Sequence, residues 1–211
     1  MRKVCFLVFI FSLFAFQIFG IDAVLNLDGK AFFFQGEQYV KFDIAKDKVD
    51  AGYPLPIKGN WHGFPWSRID AAVELGDGKA FFFYQDEYVK YDMKKEKVDP
   101  GYPMSITAWR GVPWKKIDAA VNLGQGKLFF FSGDQYVKYD IAKERVDEGY
   151  PLPIKGNWQG FPWTKVDAAV NFGSGKAFFF SGDEYIKYDI AKEKADQGYP
   201  LPIKGNWILN F

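Results

Sequence analysis

The sequence predicts an all-β protein, a four-bladed β-propeller, from three observations. A segment opening Ile/Val-Asp-Ala recurs four times at a spacing of 48 or 49 residues, with its aspartates at 22, 70, 118 and 167. Each copy holds three short strand patterns separated by turn residues. The middle pattern carries three consecutive phenylalanines in every copy. A period of this length marks a repeat architecture. Adjacent phenylalanines point to opposite faces of a strand, so the sheet must be covered on both sides. Radially stacked blades, each packed on two neighbours, meet that demand.

The fourth copy shows the elements in order. Asp167 to Phe172 reads as a first strand, and Gly173-Ser174-Gly175 as a turn. Lys176 to Phe180 is the second strand, with Phe178 and Phe180 on one face and Phe179 on the other. Ser181-Gly182-Asp183 is a tight turn in which glycine supplies a positive φ. Glu184 to Asp189 is the third strand. Ile186 and Tyr188 share one of its faces; Tyr185 and Lys187 share the other, where Lys187 lays its methylenes on the core. A short fourth strand is expected near Lys194–Gln197. The charges of the Tyr-Val-Lys-Tyr-Asp pattern read as solvated strand ends.

The connectors are equally regular. GYPLPIKGNW stands unchanged at 52–61, 149–158 and 198–207, and its prolines are expected to end the sheet pairing. GFPW (63–66, 160–163) then leads into the next opening aspartate. Trp61 and Trp66 are expected to wedge between blades, as large aromatics do in cores. The competing reading is an exposed ring of tryptophans with Lys58, Lys155 and Lys204, forming a ligand face. The blades therefore span 21–68, 69–116, 117–165 and 166–211.

The copies differ in places. Blade one has a first turn shorter by one residue, Asp28-Gly29. Blade two places Gln85 where the others have glycine, a cost of about 1 kcal/mol, and its connector GYPMSITAWRGVPW departs from the rest. A single asymmetric binding spot would be sought there. The last blade ends in Ile208-Leu209-Asn210-Phe211, a tail expected to close the ring against blade one.

Residues 1–20 read as a secretory signal peptide: Arg2 and Lys3, an apolar run from Val4 to Phe19, and Gly20 before the cut. The alternative is a membrane anchor or buried helix, but the run falls short of the ~20 residues that span a bilayer. A secreted protein is expected, with no membrane association after cleavage. Cleavage removes two of the 27 basic residues, leaving 25 against 26 acidic ones. No basic face for nucleic acid is indicated. It also removes Cys5, the sole cysteine, so stability must come from packing rather than disulfides.

The repeat (I/V)DAA…GKxFFFxGDxYxKYD…GYPxPI…W…P resembles the hemopexin repeat, and all four copies match, from Ile21 to the C-terminus. Similar domains occur in matrix metalloproteinases, vitronectin, hemopexin and legume seed albumins. The resemblance implies a four-bladed propeller around a central tunnel. Vertebrate members tie first and last blades with a disulfide, which this chain cannot form, so it looks more like the stand-alone, cysteine-poor seed-albumin type. In similar proteins the tunnel holds Ca²⁺ on backbone carbonyls at the opening positions, here Asp22, Asp70, Asp118 and Asp167. A second level at Val24, Ala72, Ala120 and Ala169 would take another ion, Na⁺ or Cl⁻. The other reading is that each aspartate only starts its strand and bonds neighbouring backbone.

Haem binding, also implied by the family, finds little support, because the chain holds one histidine, His62, in a connector. Two-histidine ligation within one chain is therefore impossible, although Tyr or one His could still serve. Catalysis is not expected: a nucleophile triad needs a histidine base, and acidic groups repeated in every blade behave as scaffold. Three functions remain. The first is a secreted interaction module for extracellular protein or glycan, the second a carrier of haem or a polyamine, the third a storage or structural protein. The sequence does not reveal the oligomeric state.

Overall fold

The computed structural model describes residues 20–211; of the expected signal peptide only Gly20 lies within them. Among the described residues, no helix is long and apolar enough to cross a membrane.

Four five-stranded antiparallel sheets form four blades. In blade one, β1 (Ala23–Leu27), β2 (Lys30–Gln35) and β3 (Gln38–Asp43) make a meander. β4 (Lys48–Val49) and β5 (Leu55–Pro56) both pair with β3, at its two ends. The other blades repeat this pattern, with inner strands Ala71–Glu74, Ala119–Gly124 and Ala168–Gly173. The inner strands contact one another in a closed cycle, so the wheel is complete.

The expected fourth strand exists, as Lys194–Ala195 in the last blade. The proline-rich connector, however, does not end the pairing. Leu201–Pro202 returns to lie against Tyr185 and Glu184, and the Ile203 amide donates to the Asp183 carbonyl at 2.7 Å. Proline is tolerated because this short strand is an edge, where its missing donor leaves no ladder bond unmade.

The turns follow from backbone stereochemistry. In blade one, Asp28 (φ 48°) and Gly29 (φ 79°) make a two-residue hairpin with both φ values positive, which matches the twist of the flanking strands. Blades three and four add a bulge at Gly124 and Gly173. Gln85 does occupy a left-handed position (φ 54°) that is filled by Gly36, Gly133 and Gly182 elsewhere.

There is no single core; four apolar clusters fill the four seams between adjacent blades. Alternation along the second strand feeds two seams at once. Phe33 packs towards blade four and Phe34 towards blade two. These two and their six counterparts are almost fully buried, each contributing roughly 1.5–3 kcal/mol. The first phenylalanine of each triplet stays half-buried and meets a connector tryptophan edge-to-face: Phe32–Trp61, Phe81–Trp109, Phe129–Trp158 and Phe178–Trp207. Trp61, Trp109 and Trp158 are buried, so these are wedges and not an exposed ligand ring. Their indole N–H groups have no hydrogen-bond partner among the described residues; the surrounding ring faces offer the weaker π contact instead.

The strand-end charges also differ from the solvated reading. Asp43, Asp92, Asp140 and Asp189 are buried. Each is paired with the lysine that opens the second strand of its blade, Lys30, Lys79, Lys127 or Lys176, at 2.8–3.0 Å. The same lysine holds a second carboxylate, Asp50, Asp99, Asp147 or Asp196. A carboxylate at the sheet margin is kept because it is paired and also caps a loop amide, as Asp189 does for Lys192 at 3.0 Å. The lysine ammonium holds Asp140 down at about 2, and Asp43, Asp92 and Asp189 well below the usual carboxylate range.

Candidate functional site

The inner strands surround a channel with a cavity of about 280 Å³, whose wall includes Val24, Ala72, Ala120 and Ala169. Each inner strand is the edge of its sheet, so the main-chain groups not bonded to the second strand are left on the axial side. Small side chains suit this crowding. The two ends of the channel are chemically different.

At one end stand Asp22, Asp70, Asp118 and Asp167, immediately before the inner strands. Their amides donate to Phe34, Phe83, Phe131 and Phe180 at 2.8–2.9 Å, which starts the hairpin. Their side chains turn into their own blades. Each Oδ2 accepts from the amide of a tight turn: Gly36, Gln85, Gly133 and Gly182, at 2.7–2.9 Å. The sequence reading that these aspartates bond neighbouring backbone therefore describes their side chains. The remaining oxygens of Asp70, Asp118 and Asp167 meet lysines that stand two residues before an opening aspartate. Lys116 bridges Asp70 (3.4 Å) and Asp118 (3.3 Å), and Lys165 pairs with Asp167 at 2.6 Å. Burial pushes the Asp22 carboxyl up, against the Gly36 hydrogen bond and the Arg68 charge; Asp70 and Asp167 add repulsion. Among the described residues no group of three or more His, Cys, Asp or Glu could hold a metal ion through side chains. A cation at this end would have to sit on main-chain oxygens.

At the other end, four positions further along each inner strand, stand Asn26, Glu74, Asn122 and Asn171. The asparagines link neighbouring blades around the axis. Asn26 Nδ2 donates to the Asn171 carbonyl (2.9 Å), Asn171 to the Asn122 carbonyl (3.0 Å), and Asn122 to the Glu74 carbonyl (3.1 Å). Reading single copies misses this ring, because one polar residue in a strand carries no pattern. Aligning the four copies would have exposed it as a column of three asparagines and one glutamate.

His62 lies exposed in the connector, where its carbonyl accepts from the Val98 amide at 3.0 Å.

The family model described as Hemopexin matches residues 21–65, 69–113, 117–162 and 166–210. No curated protein sequence matches the chain. Solved structures similar to it include a plant albumin from Cicer arietinum showing hemagglutination. That protein has 21% identity and a TM-score of 0.77, covering 89% of this chain and 95% of that one. A seed albumin from Lathyrus sativus has 22% identity and a TM-score of 0.75, covering 89% and 94%. A plant lectin with two metal binding sites, also from Cicer arietinum, has 22% identity and a TM-score of 0.70, covering 88% and 91%. At such identities the likeness concerns the fold, and the four matched repeats concern the family. With every blade accounted for by one repeat, the chain belongs to the Hemopexin family.

Proposed function

We propose that the protein is a secreted, non-catalytic interaction module: a stiff wheel that offers one surface several times to an extracellular protein or glycan. The observation that carries this reading is a repeated loop. Lys58-Gly59-Asn60, Lys155-Gly156-Asn157 and Lys204-Gly205-Asn206 are all exposed. Each is held in the same shape by its asparagine, whose Nδ2 donates to the carbonyl of Pro56, Pro153 or Pro202 at 2.9 Å. Three rigid copies on one wheel turn weak single contacts into avidity. Blade two has a short 3₁₀ turn, Ile106–Ala108, in that place, so its surface is different. The hemagglutination of the Cicer arietinum albumin supports a binding role.

A structural Ca²⁺ belongs to the same reading, bound by backbone carbonyls at Asp22, Asp70, Asp118 and Asp167. Support comes from the opposite mouth, where the carbonyls of Glu74, Asn122 and Asn171 are free of the second strand and accept hydrogen bonds from the neighbouring blade around the axis. Strand alternation gives residues two positions apart the same main-chain direction, which carries the axial orientation back along the strand. Hard cations take such oxygen shells, completed by water. The lectin with two metal binding sites is consistent with this.

The test is agglutination of red cells together with a glycan array, on the wild type and on the triple variant Lys58→Ala, Lys155→Ala, Lys204→Ala. Binding that the triple variant loses, with its melting curve kept, is expected. Absence of any captured glycan or extracellular protein overturns the reading. Elemental analysis and native mass of the purified protein check the ion.

A further inference from the structure

The seam between blades three and four holds a pocket of about 500 Å³, within the span of about 300–1,000 Å³ that small-ligand sites occupy. Phe129 and Tyr150 give it two half-buried aromatic walls. Lys138, Tyr188, Gln159 and Glu193 bring polar groups to the same space. Lys138 stands directly opposite Phe129 in the register of the sheet. The Tyr188 ring is buried, and its hydroxyl has no hydrogen-bond partner among the described residues. Burial pushes this phenol up to about 12, and the Glu193 charge adds to the effect, so the carboxylate lies near the hydroxyl. Asn157, from the rigid loop that begins at Lys155, borders the pocket as well.

The repeats make this seam comparable with the others. In blade one the matching lysine, Lys41, is drawn to Asp50 at 3.7 Å. In blade two it is Lys90, which lies over the Phe81 ring, 5.9 Å from the centroid. Lys138 makes neither contact among the described residues, so its ammonium is open to a ligand and the Phe129 ring is not covered by it. At the closing seam the polar groups themselves are missing. Phe42 stands where blade four has Tyr188, and Ile208, largely exposed, stands where the connector has Gln159. The fold therefore tolerates apolar residues at both positions, and their polarity here is not required by packing.

We propose that this pocket binds one sugar ring of a glycan, an inference that rests on the binding role proposed above and gives it a place. A sugar carries hydroxyls that both give and accept hydrogens, and a face of C–H groups. Lys138 gives, Glu193 accepts, and the Tyr188 hydroxyl and Gln159 amide do both. The C–H face suits the electron-rich ring faces of Phe129 and Tyr150. A wholly apolar ligand would strand the Tyr188 hydroxyl and the Lys138 ammonium without partners, which costs more than the contact returns.

The test titrates the purified protein with galactose, mannose, glucose and N-acetylglucosamine at millimolar concentrations, followed by calorimetry and ligand-observed NMR. One of these sugars is expected to bind with one site per chain. Tyr188→Phe should weaken it about two- to tenfold, the loss of one hydrogen bond, with an unchanged melting curve, because Phe42 already fills that place at the closing seam. Tyr188→Phe combined with Gln159→Ile and Lys138→Ala should bring binding below detection. Tyr139→Phe, the matched change in the neighbouring seam, should leave affinity as it was. A wild type that binds none of the four sugars overturns the proposal. So does equal affinity in wild type and the combined variant. If glycan-array binding survives the combined variant and is lost in the triple lysine variant, the seam site falls while the interaction role stands. If no glycan or extracellular protein is captured at all, both fall.

Discussion

The seam that closes the wheel, between blades four and one, is built differently from the three seams along the chain. In those three, the connector places tryptophan, then glycine two residues later: Trp61/Gly63, Trp109/Gly111 and Trp158/Gly160. Each glycine has a φ of 84–87° and touches the outer strand of the next blade. A Cβ on Gly160 would lie 2.8 Å from the Ala195 Cβ. This approach lets the residue between them join the blades through backbone: the carbonyls of His62, Arg110 and Gln159 accept from Val98, Val146 and Ala195 at 2.9–3.0 Å. At the closing seam the matching position is Leu209, and no counterpart to that bond exists among the described residues. Leu209 is instead buried in the seam itself. Trp207 reaches across to Phe33 and Phe42 of blade one, with ring centroids 5.3 and 5.5 Å away. Where the chain continues, backbone and side chains both join the blades; where it must only meet its own beginning, side chains do so alone.

The comparison can be broken at its tryptophans. Trp158→Ala should cost about 3–5 kcal/mol by emptying a buried site in its seam. Trp207→Ala should fall near the lower end of that range, because this ring is only half-buried. Chemical denaturation measures both, and equal or reversed losses would show that the seams are equivalent. Next in size is removal of 208–211, which deletes the Leu209 plug and should cost about 2–4 kcal/mol, several degrees in Tm. An unchanged melting curve would reject the closure role.

Acid should act on the blades and leave the seam difference standing. The lysine–aspartate–aspartate groups occur once per blade, and their buried aspartates titrate below the ordinary value near 3.9. Their contribution is complete above pH 4 and fades as pH falls towards about 2, because the unfolded chain then binds protons first. Thermal melts from pH 5 to 2 should show this decline. A flat profile would mean that the pairs add nothing. The smallest effect is expected from Gln85→Gly, which relieves a left-handed side chain and should stabilise by up to about 1 kcal/mol. A loss on this change would mean that the Gln85 side chain contributes more than its backbone strain removes.

Much of the fold was legible because repeats repeat their errors as well as their signals. The Phe178-Phe179-Phe180 triplet demanded two covered faces, and the structure supplies two seams for it. The glycine turn at 182 was readable, as was the strain its replacement imposes at Gln85. The pairing of Leu201–Pro202 was not, since proline argues against a strand and only the third strand's free edge invites it. The buried Asp189 was misread as solvated because its partner, Lys176, is 13 residues away and meets it only once the hairpin has formed. Of the candidate site, the opening aspartates were found, but the direction of their side chains was not, as that depends on where the turn amide at Gly182 or Gly36 comes to lie.

By itself the sequence determined the number of blades, the three long strands in each and the two-sided burial of the phenylalanines, because strand alternation and a fixed period are local properties repeated four times. Tertiary structure alone decided which residues of neighbouring blades meet around the axis. The ring of Asn26, Asn122 and Asn171, its interruption at Glu74 and the orphaned oxygen of Asn26 exist only when four inner strands converge. The physical reason is that a hydrogen bond between blades joins groups some 48 to 145 residues apart, and no local pattern carries information over that span.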